Sequence, residues 1–375
     1  MYNSVKTTDK TKRVYIVKEF LKRKNIVISG RRYGIDALGA MAQGLFCSLL
    51  IGTIVKTLGQ QLNIPFLVEM GGYCSAMSGP AMAVAIGYAL QAPTLVLFSL
   101  ATVGYAANAL GSTTLSGTSG AGGPLAVLVI AIVAAECGKA VSKETKVDIL
   151  VTPLVTIFAG VSLSALIAPA IGTAASSVGS FVEWATVLQP FLMGILVSVS
   201  VGIALTLPIS SAAICAALGL SGLAGGAAVA GCCAQMVGFA VLSFKENRWG
   251  GLISQGLGTS MLQMGNIVKN PRIWIPPTLA AAITGPIATC VFRFQMNDPS
   301  GGVASGMGTC GMVGPIGVYA GWVHDVANGA KSAITGTDWL AMALICIILP
   351  AVLSWLIGIP CRKLGWIKEG DLKLD

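Results

Sequence analysis

The sequence is short of charge and of the residues that build metal or nucleophile sites. Only 10% of its 375 residues are charged, against about 25% in a typical soluble domain. His324 is the only histidine and none of the ten cysteines has CxxC spacing, so a zinc site or a Cys/His nucleophile pair lacks partners. We therefore expect no metal, no cofactor and no catalytic residue in this chain.

A phosphate-binding loop is also missing. The glycine-rich run at 117–123 (GTSGAGG) is not followed by the Lys-Ser/Thr pair that holds nucleotide phosphates. In so apolar a chain, small residues mostly allow helices to pack closely.

The sequence is rich in long apolar segments. Hydrophobic residues make up 54% of it, and a helix that crosses a bilayer needs about 20 largely apolar residues. We predict an all-α fold, a polytopic transmembrane helical bundle of about ten spans. The predicted spans are 36–58, 64–90, 93–110, 121–141, 148–172, 187–208, 209–223, 224–244, 274–292 and 337–360.

The net charge of +9 is concentrated at the start of the chain. Residues 1–32 contain ten basic and two acidic side chains, and so carry eight of the nine net charges. A basic block directly before the first apolar segment holds a terminus in the cytoplasm and attracts anionic lipid. The charge therefore predicts contact with membrane lipid and no direct binding of nucleic acid. Within the block, 14–21 fits either an amphipathic helix on the inner leaflet or a solvated arm.

The remaining basic residues predict the topology. They mark joints at 139–146, 245–248, 269–272 and 362–373, whereas the joints at 59–63, 111–120 and 173–186 have none and suit the outer face. Both termini are thus expected in the cytoplasm. We divide the chain into a basic N-terminal segment (1–32), a membrane domain (33–361) and a C-terminal tail (362–375).

Two stretches are apolar enough to enter the bilayer but too rich in glycine and polar residues for plain spanning helices. For 250–268 and 300–323 we predict re-entrant hairpins, because irregular backbone at membrane depth requires surrounding protein or a water-filled cavity. A glycine-rich, tightly packed helix is the alternative. The triplets at 121–123 and 224–226 (both AGG) each open a span, which fits an internal repeat or chance in a Gly/Ala-rich chain.

An ionisable residue inside a span is expensive and is therefore a candidate for function. Glu69 precedes Gly71, Gly72 and the Gly79-Pro80 pair, a pattern that predicts a helix broken at depth near a carboxylate. The alternative is a carboxylate near the outer surface. Glu136, in contrast, is expected to pair with lysines at the membrane edge.

Uncharged polar side chains inside apolar stretches suit a neutral polyhydroxyl ligand, which is bound by amides, hydroxyls and carboxylates. The predicted substrate-binding set is Glu69, Gln189, Ser210, Ser211, Gln235, Gln255, Thr259, Gln263 and Asn266. Gln255, Thr259 and Gln263 fall four residues apart and share one face if their stretch is helical. Interhelical hydrogen bonds, worth about 0.6 kcal/mol each, explain any single one of these residues equally well.

Seven motifs resemble a single family. They are GPAMAVAIGYALQAP at 79–93, ECGK at 136–139, TKVDILVTPL at 145–154, LQPFLMG at 188–194, ALTLPISSAA at 204–213, QGLGTSMLQ at 255–263 and KNPRIWIPP at 269–277. Through them, nearly the whole of 14–365 resembles the bacterial enzyme IIC-like membrane proteins that include the perfringolysin O regulator type.

The resemblance implies a permease subunit of the phosphoenolpyruvate-dependent phosphotransferase system, in a bacterial plasma membrane, that binds a sugar or another small polar solute. Only fifteen residues follow Pro360, so IIA and IIB partners are expected to be separate proteins, or absent. We also expect a homodimer.

Two other functions stay open at this stage. One is a membrane sensor that regulates gene expression through its basic N-terminal arm, as some members of the family are described to do. The other is a secondary transporter driven by ions, with Glu69 as the coupling group. The many polar breaks at membrane depth favour transport over regulation.

Overall fold

The computed structural model describes residues 16–117, 120–297 and 302–374. Val14 of the predicted amphipathic stretch lies outside these residues, while 16–23 is helical. In chain order the further helices are α1 (Arg32–Gln60), α2 (Pro65–Ala76), α3 (Ser78–Ala89), α4 (Thr94–Gly111), α5 (Gly123–Val141), α6 (Asp148–Thr186), α7 (Pro190–Thr206), α8 (Ser211–Ala217), α9 (Gly222–Leu242), α10 (Phe244–Ile253), α11 (Met264–Lys269), α12 (Pro271–Val291), α13 (Val313–Ala327) and α14 (Gly336–Lys363).

The predicted all-α helical bundle is confirmed. Seven helices of the described residues are long and apolar enough to cross a membrane: α1, α4, α5, α6, α9, α12 and α14. Helix α7 is apolar but shorter. The described ranges contain no β-strand, and Gly222 and Met296 form an isolated antiparallel bridge.

The span predicted at 209–223 is wrong. Helix α8 has only seven residues, or about 10 Å at 1.5 Å per residue, and the hydrocarbon core is about 30 Å thick. The sequence continues past it with Gly219 at φ +54 and Gly222 at φ +60, conformations that glycine adopts without a steric penalty and that end a helix.

Two further predicted segments have different boundaries in the structure. The span at 64–90 is divided at Met77 (φ −86, ψ 6) into α2 and α3. The outer joint predicted at 173–186 is helical, since α6 runs for 39 residues. Just before that stretch, Gly172 allows close packing, since a Cβ there would lie 2.1 Å from the Thr113 carbonyl oxygen.

Helix α9 is the most buried of the seven candidate spans. A Cβ on its Gly231 would lie 1.9 Å from the carbonyl oxygen of Ser198 in α7. In the same way, a Cβ on Gly285 of α12 would lie 2.1 Å from the carbonyl oxygen of Gly194 in α7. Glycine permits such close backbone approach, so α7, α9 and α12 form a tightly packed scaffold.

Both stretches predicted to be re-entrant have broken backbone. In the first, α10 continues as a π turn over Ser254–Gly258, the chain is extended at Thr259, and helical structure resumes at Ser260. The second begins with two 3-10 turns and continues as α13 from Val313, and a Cβ on its Gly308 would lie 2.7 Å from the Cβ of Cys232 in α9. This irregular backbone is packed against protein, which is the condition under which non-helical backbone is tolerated inside a bilayer. Residues 298–301 lie outside the described part.

Basic residues gather at one end of the bundle, called here the basic end (24–36, 136–146, 245–248, 266–274 and 362–374). Arg32 and Lys139 both donate to the Leu90 carbonyl oxygen, at 2.6 and 3.1 Å. Lys139 Nζ also lies 2.9 Å from Glu136 Oε2, which confirms that predicted pairing. Four joints predicted to face one side of the membrane thus lie together.

Candidate functional site

A series of hydrogen-bonded amides runs through the hairpin formed by α10 and α11. Gln255 donates from Nε2 to Ser243 Oγ at 2.8 Å and accepts at Oε1 from Gln263 Nε2 at 2.9 Å. Gln263 Oε1 accepts from Asn266 Nδ2 at 2.8 Å. All four side chains are buried. We call Ser243, Gln255, Gln263 and Asn266 the amide chain.

Gln255, Thr259 and Gln263 do not share one helix face, because their stretch is not a continuous helix. The backbone is extended at Thr259 (φ −158, ψ 143), whose hydroxyl oxygen accepts from Met261 N at 3.1 Å and caps the next turn. Gln255 and Gln263 therefore meet across a break in the helix. Thr259 supports the turn between them.

A cavity of about 700 Å³ lies beside the amide chain at the basic end, within the range of about 300–1,000 Å³ typical of small-molecule sites. Helices α10 and α11 contribute Asn247 and Asn266 to its lining, and α1 contributes Asp36 and Gln43. Within the described residues, neither Asp36 nor Gln43 has a hydrogen-bond partner, and both are exposed. A carboxylate and an amide are thus free to bind a ligand.

The cavity also carries positive charge. Lys269 and Lys373 line it together with Asp36, so charge of both signs surrounds the polar groups. Across the described ranges, no group of three or more His, Cys, Asp or Glu side chains is placed to hold a metal ion.

Residues 366–374, called here the C-terminal segment, reach the same site. Asn247 Nδ2 donates to the Leu372 carbonyl oxygen at 2.7 Å, and Asn266 Nδ2 donates to that of Lys373 at 2.8 Å. The predicted tail thus packs into the bundle along part of its length.

Gln235 belongs to a second buried network. It lies on α9, about two helical turns before Ser243 of the amide chain. Its Oε1 accepts from Trp274 Nε1 at 2.9 Å, and its Nε2 donates to Thr278 Oγ1 at 3.2 Å. Thr206 Oγ1 lies 2.8 Å from Ser260 Oγ, in the turn of the α10–α11 hairpin. This network ties the hairpin to α7, α9 and α12.

Glu69 and Gln189 lie apart from both networks. Glu69 is exposed on α2, eight residues before the break at Met77, and its Oε1 accepts from Tyr73 Oη at 2.5 Å. Gln189 is exposed at the start of α7 and makes no capping hydrogen bond. Within the described part of the chain, neither shares a hydrogen bond with the amide chain.

Ser210 and Ser211 support the backbone around α8. Ser210 Oγ caps this helix by accepting from Ala213 N at 3.2 Å. Ser211 Oγ donates to the Gly306 carbonyl oxygen at 2.7 Å and so ties α8 to the second broken stretch.

Sequence reasoning missed three residues of the cavity. Asp36 is the first residue of a predicted span, where a charged side chain looks like an ordinary span end, and Asn247 stands among charged residues that look like an ordinary joint. Gln43 is a polar residue within a predicted span, so the criterion that selected Gln235 could also have selected it.

A polytopic helical bundle with broken helices around a polar cavity is the architecture of a membrane transporter. The sequence profile of the family described as "Phosphotransferase system, EIIC" matches residues 35–374. The chain therefore belongs to the EIIC family and is a multi-pass membrane component of a phosphotransferase-system permease. No curated protein and no solved structure matches it.

Proposed function

We propose that this EIIC protein binds a sugar, or another small neutral polar solute, in the cavity between α1 and the α10–α11 hairpin, and translocates it. The observation that supports this most directly is the unpartnered pair Asp36 and Gln43 beside buried amides. A carboxylate accepts hydrogen bonds from hydroxyl groups, and a primary amide both donates and accepts.

The amide chain has a positioning role in this proposal. Gln255 and Gln263 are fully buried and do not line the cavity. Their hydrogen bonds fix the side chain of Asn266, which does line it. A rigid amide loses little conformational entropy when a ligand binds.

The orientation is part of the proposal. The positive-inside rule places the basic end, and with it the cavity, at the cytoplasmic face of a bacterial plasma membrane. Both ends of the chain then lie in the cytoplasm. Separate IIA and IIB proteins would reach the bound sugar from this side, and the permease would act as a homodimer.

Uptake of radiolabelled sugars into cells or vesicles tests the site. Asp36→Asn and Gln43→Ala are each expected to raise KM about five- to tenfold, because each removes about 1 kcal/mol of hydrogen bonding to a neutral ligand. The matched control is Gln189→Ala, which removes an exposed amide far from the cavity along the chain. Unchanged KM in both cavity variants, at normal membrane levels, would reject this site.

Uptake with and without a phosphoenolpyruvate-dependent donor system tests the coupling. If the protein is a phosphotransferase permease, accumulated sugar is phosphorylated and accumulation stops without the donor. Accumulation of unmodified sugar in its absence would contradict that mechanism.

A further inference from the structure

The C-terminal segment folds back into the bundle after α14. Gly365 (φ +71) and Gly370 (φ +91) adopt positive φ, which glycine permits at tight turns. Between and beyond these turns, Ile367 is 2% exposed and Leu372 is fully buried, both within the hydrophobic core. The segment is thus anchored by apolar side chains at the edge of the cavity.

Its backbone occupies polar groups of the proposed site. Leu372 O accepts from Gln263 Nε2 at 3.0 Å and from Asn247 Nδ2 at 2.7 Å. Lys373 O accepts from Asn266 Nδ2 at 2.8 Å, and Leu374 N donates to Asn247 Oδ1 at 2.8 Å. Two carbonyl oxygens and one N–H therefore sit where hydroxyl groups of a solute would form the same bonds.

The amides of Asn247, Gln263 and Asn266 would lose these partners if the segment left its position. Water or a solute would then have to replace the lost hydrogen bonds. A polyhydroxyl solute offers both donors and acceptors in a compact group. The segment and such a solute therefore compete for the same bonds.

The outer contacts of the segment are weak enough to open. Asn270 Nδ2 donates to Trp366 O and to Asp371 Oδ2, both at 2.8 Å. Lys245 Nζ lies 2.8 Å from Glu369 Oε1, with both side chains largely exposed, and such surface pairs contribute little to stability. Detachment also takes Ile367 and Leu372 out of the hydrophobic core, and a local opening of so short a segment leaves the rest of the bundle folded.

We propose that the C-terminal segment competes with the solute. It occupies the amides of Asn247, Gln263 and Asn266 when no solute is bound, and it detaches when a polyhydroxyl solute binds. The inference rests on the proposed function and adds regulation of the same cavity. The apparent affinity for solute is reduced by the fraction of molecules in which the segment is docked, and the solute must weaken docking by the same factor.

Hydrogen exchange and thermal-shift binding on the full chain in detergent test this. The variant Leu372→Asp replaces the buried anchor with a charge and should release the segment. Lys368→Ala is the control, since this exposed side chain makes no hydrogen bond among the described residues and its loss should leave docking intact. If Leu372→Asp does not fold, Asn270→Ala replaces it; this variant loses the outer contacts of the segment and the cap that Asn270 Oδ1 provides for Arg272 N.

The probes are glucose, galactose, mannitol and sorbitol. We expect slow exchange at 372–374 in the wild type and in Lys368→Ala, and exchange at least about tenfold faster in the released variant. The sugar that binds should do so with a Kd about tenfold lower in the released variant, and should speed exchange at 372–374 in the wild type.

The outcomes separate the two proposals. Equal Kd values in the wild type and the released variant would overturn the competition and leave the solute site standing. Fast exchange at 372–374 in the wild type without solute would also overturn it, because the segment would then not be docked. If no sugar binds either protein, the proposed sugar site and the competition both fall, and slow exchange would identify the segment as a structural cap only.

Discussion

Gln263 Nε2 donates to Gln255 Oε1 at 2.9 Å although the two residues are eight positions apart. In a continuous α-helix they would be separated by about 12 Å along the axis. The extended backbone at Thr259 brings them together. The break in the helix at Thr259 therefore creates the polar site. The hydrogen bonds of the amide chain in turn stabilise the hairpin.

Replacing Gln263 should therefore destabilise the fold. Gln263→Leu removes three hydrogen bonds and leaves Gln255 Oε1 and one N–H of Asn266 without these partners. At about 1–3 kcal/mol for each buried unsatisfied group, we expect a loss of about 2–4 kcal/mol in the free energy of unfolding. The measurement is the thermal midpoint of the purified protein in mild detergent.

Gln189→Leu is the matched control for that variant. Gln189 is exposed and makes no capping bond, so its change should stay within about 0.5 kcal/mol. Equal thermal midpoints for the two variants would show that the amide chain contributes nothing to stability.

Close packing of α7 against α9 gives a second stability prediction. Gly231→Ala places a Cβ where the Ser198 carbonyl oxygen lies 1.9 Å away, so the helices must separate, at a cost of about 1–3 kcal/mol or more. Gly72→Ala in α2 is the control, because a Cβ there meets nothing within 4 Å and alanine favours a helix interior by about 0.5–1 kcal/mol. The denaturant concentration at the unfolding midpoint, measured in detergent, should therefore fall for Gly231→Ala and rise for Gly72→Ala. A higher midpoint for Gly231→Ala would contradict the close packing of α7 against α9.

The sequence predicted the helical class and several of the breaks because both depend on local composition. A long apolar run predicts a span, and glycine next to polar residues predicts a break in a helix. Neither prediction depends on which other helices the segment contacts. The cluster of Gln255, Gln263 and Asn266 was found in this way. The geometry of this cluster could not be predicted, because hydropathy does not indicate that the chain reverses at Thr259.

The other side of the cavity could not be predicted by local patterns. Asp36 and Gln43 lie more than 200 residues before the amides in the sequence, and only tertiary packing brings them together. The role of 372–374 was hidden for another reason: its contacts use backbone carbonyl groups, which every residue has.

The N-terminal arm should release at acidic pH. Arg23 and Lys24 both pair with Glu144, Arg23 at 2.8 Å. The hydrogen bond from Lys24, together with the attraction of both cations, lowers the pKa of Glu144 below its ordinary value of 4.5. A lowered carboxylate pKa means that the pairing is complete above 4.5 and is lost as the pH falls through the lower, folded-state pKa.

Hydrogen exchange at 16–26, corrected for its intrinsic pH dependence, measures this release. Protection should stay constant from pH 7 to 5 and fall only below 4.5. Glu144→Gln should show weak protection throughout. A midpoint near pH 6.5, where histidine titrates, would assign the release to another group.

The last prediction separates phosphotransfer from ion coupling. If Glu69 were the coupling group of an ion-driven transporter, Glu69→Gln would abolish gradient-driven uptake. Glu69 is exposed and accepts a hydrogen bond from Tyr73, whereas Asp36 lines the cavity without a partner among the described residues. We therefore expect Glu69→Gln to change KM less than twofold and Asp36→Asn to raise it about five- to tenfold, with imposed proton or sodium gradients changing neither value. Loss of uptake in Glu69→Gln at normal membrane levels, together with a response to a gradient, would instead establish ion coupling at Glu69.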